Sequence, residues 1–95
     1  MRIRTDLFED NYEIYEDLGS GQFAIVKRCR KKDSGNEYAA KFVHKRRPNS
    51  ASRKGLLREK ILQEIEILSD LKHTNIISLY EVYETNNEII LVLEL

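Results

Sequence analysis

Residues 16–27 read Glu16-Asp17-Leu18-Gly19-Ser20-Gly21-Gln22-Phe23-Ala24-Ile25-Val26-Lys27. Two glycines flanking a serine force a turn between two stretches that favour β-structure. Before the turn, Tyr12 and Ile14 point one way, and Glu13, Tyr15 and Asp17 the other. That alternation predicts a strand from Tyr12 closed by Leu18. After it, Phe23 to Arg30 reads as a second strand. Missing Cβ atoms let backbone N–H groups approach an anion closely. A strand rather than a helix follows, which excludes the dinucleotide-binding fingerprint, and no Gly-Lys-Ser/Thr is present for a Walker loop. Alone the turn is weak evidence, since many hairpins hold two glycines.

Outward from this hairpin, Lys32-Asp33-Ser34-Gly35-Asn36 is a second turn, and Glu37 to His44 a third strand. Arg46 to Gly55 reads as a loop. Leu56 to Leu71 reads as a helix, with Leu57, Ile61, Ile65, Leu68 and Leu71 at three- and four-residue steps. Ile76 to Glu84 and Glu88 to Glu94 are two further strands around Thr85-Asn86-Asn87. The expectation is an α+β fold, order βββαββ, with a five-stranded antiparallel sheet and one main helix. Residues 1–11 read as a loose polar N-terminal extension, and 12–95 as the folded unit. The last strand runs into Leu95 without a polar tail, which reads as a chain cut from something longer.

Composition sets the bounds. The 95 residues allow one small domain. Sixteen basic and sixteen acidic residues cancel, which disfavours a globally basic nucleic-acid binder. The longest apolar run, Ile89 to Leu93, is too short to span a membrane, and the N-terminus lacks a signal-peptide apolar region. The lone Cys29 has no partner for an internal disulfide, which is compatible with a reducing compartment. The charge is unevenly spread: residues 27–60 hold thirteen bases and three acids, concentrated in Lys45 to Lys54. Such blocks are solvated surface or interaction arms. RNA or DNA binding there is disfavoured, because no aromatic stacking platform interleaves the bases. Arg47-Pro48-Asn49-Ser50 has the form of a site for a basic-directed kinase, a short match of low specificity.

Two charges stand out of place. At about 100° per residue, Glu64 falls near the middle of the Leu57–Ile61–Leu68–Leu71 stripe. A carboxylate there needs a cation or access to water. Lys41 is the only charge inside Tyr38-Ala39-Ala40-Lys41-Phe42-Val43, and shares a face with Ala39 and Val43. A helix packed on that face could bring Glu64 to Lys41; the plainer reading has Lys41 snorkelling and Glu64 at a frayed edge.

The glycine turn, Ala39-Ala40-Lys41, the helical Glu64, His73-Thr74-Asn75-Ile76 and two strands, in that order, resemble the N-terminal lobe of a eukaryotic protein kinase. Residues 16–27, Tyr38 to Phe42 and Lys45-Arg46-Arg47 are similar to the death-associated protein kinase family, within the calcium/calmodulin-dependent Ser/Thr kinases. The resemblance covers nearly all of 12–95. It implies ATP as cofactor, with Mg²⁺ held by residues of an absent C-terminal lobe. Leu18, Gly19, Ser20, Gly21, Gln22, Phe23, Ala24 and Val26 would cover the nucleotide. Lys41 would contact the α- and β-phosphates, held by Glu64. Ala39 would join Leu18 and Val26 as the adenine roof, Ile77 and Leu93 would line the back, and Glu94 would open the hinge. Leu68 and Leu79 would belong to the apolar stack between lobes. The resemblance further implies partner contact or dimerisation through Lys45, Arg46, Arg47, Arg53 and Lys54. Calmodulin and protein substrate would bind through absent regions, in an apoptosis- or autophagy-type pathway, with a cytoplasmic or nuclear location. Ala24 stands for the third glycine, Thr74 for a common proline, and Gly55-Leu56-Leu57 lacks a serine cap. Without a His-Arg-Asp loop or Asp-Phe-Gly, the 95 residues alone are expected to be inactive. The competing reading is a non-catalytic truncated kinase or pseudokinase module acting through 45–54.

Overall fold

The computed structural model describes residues 2–46, 55–70 and 78–95, with the side chains of 68–70 outside the description. Its elements are β1 (Ile3–Arg4), α1 (Phe8–Asn11), β2 (Tyr12–Ser20), β3 (Ala24–Lys31), β4 (Glu37–His44), α2 (Arg58–Asp70), β5 (Leu79–Glu84) and β6 (Glu88–Glu94). The sheet has six strands in the order β1-β5-β6-β4-β3-β2. Five pair antiparallel as the sequence predicts. The sixth, β1, pairs parallel to β5 through Ile3↔Val82 and Arg4↔Tyr83.

Period-two alternation sorts the strand residues onto two faces. Ala40, Cys29, Tyr83, Ile90 and Val92 face one way and form a core with Phe8 and Tyr12. Val43, Val82, Ile89 and Leu91 face the other way and pack with Ile61 and Ile65 of α2. The first core is built on rings. Phe8 stacks on Tyr12 at 4.5 Å between centroids and meets Tyr83 and Phe42 edge-on. Cys29 lies fully buried among them, its thiol donating to the Tyr38 carbonyl at 3.5 Å, and burial pushes its pKa up to about 11.

Residues 2–11 are therefore no loose lead-in. Phe8 is 1% exposed, and burying a ring of that size contributes about 2–3 kcal/mol. The backbone N–H of Tyr12 donates to the Phe8 carbonyl, closing the turn that stacks the two rings.

The main helix starts at Arg58, two residues later than its periodicity suggests. Leu56 is tied in an extended bridge beside Lys45: its N–H donates to His44 O at 3.0 Å, and its carbonyl accepts from Arg46 N at 2.8 Å. Gly55 makes this possible with φ at +89°, where a Cβ would lie 2.7 Å from His44 O. Leu57 is consequently exposed, and Ile61 and Ile65 carry the packing. The predicted start of the fourth main strand at Ile76 lies outside the described residues; β5 begins at Leu79.

Candidate functional site

The glycine turn is the tip of the β2–β3 hairpin. Gly19 pairs with Val26 and Ser20 with Ile25, and Gly21 N donates to Ala24 O at 2.8 Å. The register then runs Val26↔Lys41↔Leu91 across β3, β4 and β6. Directly opposed residues share a face, so Val26 and Lys41 look out beneath the turn, on the side where α2 packs. Below it lies a cavity of about 430 Å³, lined by residues 19–24 at the hairpin tip, Val26, Lys41 and Glu64. Val43 and Leu56, which the sequence reading did not select, complete its wall.

The two displaced charges thus meet one cavity, but not each other. No ion pair within 4.0 Å joins Lys41 and Glu64 among the described residues. Glu64 is exposed rather than buried in the stripe. The helix rests on Ile61 and Ile65, and one residue back from Ile65 is about 100° around the axis. Glu64 therefore flanks the packed face and opens to the cavity. Water access, not a buried cation, satisfies this carboxylate.

The other predicted positions are spread more widely. Ala39 opposes Leu93 in the β4–β6 ladder, and Leu93 packs against the α2-side core, where Leu79 is a buried member. Leu18 is exposed, and β2 runs two residues past it to Ser20 instead of closing there. Glu94, exposed, donates its backbone N–H to Ser78 O at 2.9 Å. Ile77, Thr74, Arg47, Ser50, Arg53 and Lys54 lie outside the described residues, as does the side chain of Leu68. Lys45 is committed within the fold: its Nζ lies 3.0 Å from Glu84, which also receives Arg58 at 2.6 Å. Those hydrogen bonds, Arg58 first and Lys45 next, hold the Glu84 carboxyl below its ordinary value against a burial effect that raises it.

Glycine identity at the turn is not demanded by the fold. A Cβ at Gly19 or Gly21 would meet nothing within 4 Å. Gly35 and Gly55, by contrast, have positive φ. Open space above the turn and a lysine below it suit an anionic ligand whose oxygens come close to the backbone. Among the described residues no group of three His, Cys, Asp or Glu side chains is placed to hold a metal ion.

Sequence reasoning missed the polar cluster at the other end of the hairpin. Glu81 accepts from the Tyr12 hydroxyl, from Tyr83 Oη at 3.2 Å and from Arg4 Nη1 at 2.9 Å, with Lys31 Nζ at 3.7 Å. Burial pushes its carboxyl up, but the Tyr12 hydroxyl, Lys31 and Arg4 outweigh that and hold it below its usual range. Tyr83 is pushed up to about 12, by burial first and by Glu81 next. The sequence did carry one signal, the Phe8–Tyr12 spacing of four, which puts two rings on one face of a helical turn.

Residues 12–95 match the protein kinase domain family, and the chain belongs to it. Its fold is that of a kinase N-terminal lobe. The chain is 56% identical over 87 residues to death-associated protein kinase 2 of Mus musculus, covering 92% of this chain and 23% of that protein. It is 48% identical over 89 residues to death-associated protein kinase dapk-1 of Caenorhabditis elegans, covering 93% of this chain and 6% of that one. Among solved structures, a twitchin kinase fragment of C. elegans superposes with a TM-score of 0.83 at 32% identity, covering 99% of this chain and 20% of that one. The chain spans less than a quarter of the length of these relatives.

Proposed function

We propose that this lobe binds ATP for a serine/threonine protein kinase that transfers the γ-phosphate to protein hydroxyls. The observation that carries the reading is the cavity under the glycine turn, with Lys41 and Glu64 both on its wall. The turn lies over the phosphates with its backbone N–H groups, and Lys41 supplies the positive charge at the α- and β-phosphates. Glu64 reaches Lys41 when α2 moves toward the sheet, and the pair then fixes the amine. Leu18, Val26 and Ala39 would form the apolar roof for the base, Leu93 its back wall, and Glu94 the start of the hinge. Mg²⁺, when bound with the nucleotide, neutralises phosphate charge; its ligands belong to segments beyond these residues.

The 95 residues alone transfer no phosphate, since they contain neither the catalytic base nor the metal-binding aspartate of the family. The resemblance of residues 16–27, 38–42 and 45–47 to the death-associated protein kinases is the ground for proposing a calcium/calmodulin-linked role, in cytoplasm or nucleus. It is equally the ground for proposing partner contact through the basic segment 45–54, although Lys45 itself is engaged with Glu84. The test is nucleotide binding and peptide phosphorylation by the full-length protein, compared with Lys41→Met. Wild-type binding and turnover that persist in the variant would sink the reading.

A further inference from the structure

The glycine turn is one end of a hairpin whose other end is the Glu81 cluster. Of the nine residues of β2, Tyr12 is the one that is buried. From there to the turn β2 is an edge strand, paired only with β3, and its ladder is broken by register shifts between Ile14 and Asp17 and between Asp17 and Gly19. No buried side chain holds it to the core between Tyr12 and the tip. An edge strand so lightly held opens at low free energy unless its root is fixed.

Glu81 fixes that root from three sides. Its carboxylate takes the Tyr12 hydroxyl at the start of β2, faces Lys31 Nζ at the end of β3, and takes Arg4 from β1. Lys31 also donates to Tyr80 Oη at 2.9 Å, and Lys32 ties the backbone to α1 through Asn11 O at 2.9 Å and Glu9 O at 2.8 Å. The side chain of Glu81 is 16% exposed, so these bonds are shielded from competing water. Both strands of the hairpin, and the N-terminal strand with them, converge on one carboxylate of β5.

We propose that Glu81 is a positioning residue that clamps the root of the glycine hairpin and thereby limits the excursions of the turn. The turn's function as a phosphate lid rests on the ATP-binding reading; the clamp itself does not. Tyr12→Phe keeps the stacked ring and removes the hydroxyl. Glu81→Ala removes the clamp, and Glu81→Gln keeps an acceptor for Tyr12.

The experiment is hydrogen exchange in the full-length protein without nucleotide, followed by ATP kinetics on the same samples. Exchange of the amides from Glu13 to Phe23 is expected to be about tenfold faster in Tyr12→Phe and Glu81→Ala, with β4 and β6 amides at the parent rate and Glu81→Gln restoring most of the protection. The KM for ATP then rises in step with loop exchange while kcat changes little. Uniform acceleration over all six strands marks a merely structural residue and overturns the proposal. So does unchanged exchange at 13–23, or a Glu81→Gln variant as fast as Glu81→Ala. Altered loop exchange in a protein that binds no ATP leaves the clamp standing and removes the nucleotide reading instead.

Discussion

The two faces of the sheet are built differently. One is closed by rings: Phe8, Tyr12 and Tyr83 pack edge and face, and the polar ends of two of them go to Glu81. The other is closed by aliphatic side chains from α2, and beside that contact it leaves a cavity with Lys41 and Glu64 on its wall. The first face spends its charges on itself. The second leaves charged groups turned toward open space. The ring face gathers its polar groups on Glu81, and the helix face leaves Lys41 and Glu64 on a cavity wall.

The sharpest way to break this comparison is Phe8→Ala. A fully buried ring removed from a packed core is expected to destabilise by about 4 kcal/mol, read by denaturant unfolding. Phe8 lies outside the residues that match the kinase domain family, so a negligible effect would place the true boundary at Tyr12. Lys41→Met comes next. Peptide phosphorylation by the full-length protein should fall about a hundredfold, while the unfolding midpoint stays near that of the parent. A matched loss of stability would make Lys41 a packing residue.

The glycines sharpen the same contrast at a smaller scale. Gly55→Ala forces a Cβ toward His44 O at +89° φ and should destabilise by about 2 kcal/mol. Gly21→Ala meets open space, so stability should stay within about 0.5 kcal/mol while ATP affinity drops. Equal stability losses at the two positions would erase the distinction between fold-required and ligand-required glycine.

The smallest effect expected is in acid. The Glu81 carboxyl is held below its ordinary value of 4.5 in the folded protein. Its contribution is present above pH 4.5 and is lost as pH falls through the lowered folded value. Glu81→Gln should therefore flatten the decline of stability below pH 4.5. An unchanged slope would assign acid sensitivity to Glu84, which is lowered in the same sense.

Strands β4 and β6 fall where the sequence puts them, because each is a short run of mostly apolar, β-favouring residues that begins just after a turn. Residues 2–11 were illegible for the opposite reason. Ile3 stands alone between two arginines and Leu7-Phe8 stand as a pair between acids, so beyond the Phe8–Tyr12 spacing no period can be read there; only the docked partners give them a place. The site was legible as a set of residues and not as a set of contacts. Lys41 and Glu64 were singled out by their misfit to apolar surroundings. The expected pairing assumed a helix face centred near Leu57, whereas Gly55 and the Lys45–Leu56 bridge delay the helix and centre its face on Ile61 and Ile65.

Cys29 carries one more consequence. With its pKa at about 11, roughly one thiol in ten thousand is ionised at pH 7. The sulfur is also sealed beneath the rings, so an alkylating reagent reaches it only when the aromatic side comes apart. Labelling of this single thiol is a built-in clock for that opening, readable by mass with no engineered probe, and it keeps time separately from the helix face of the sheet.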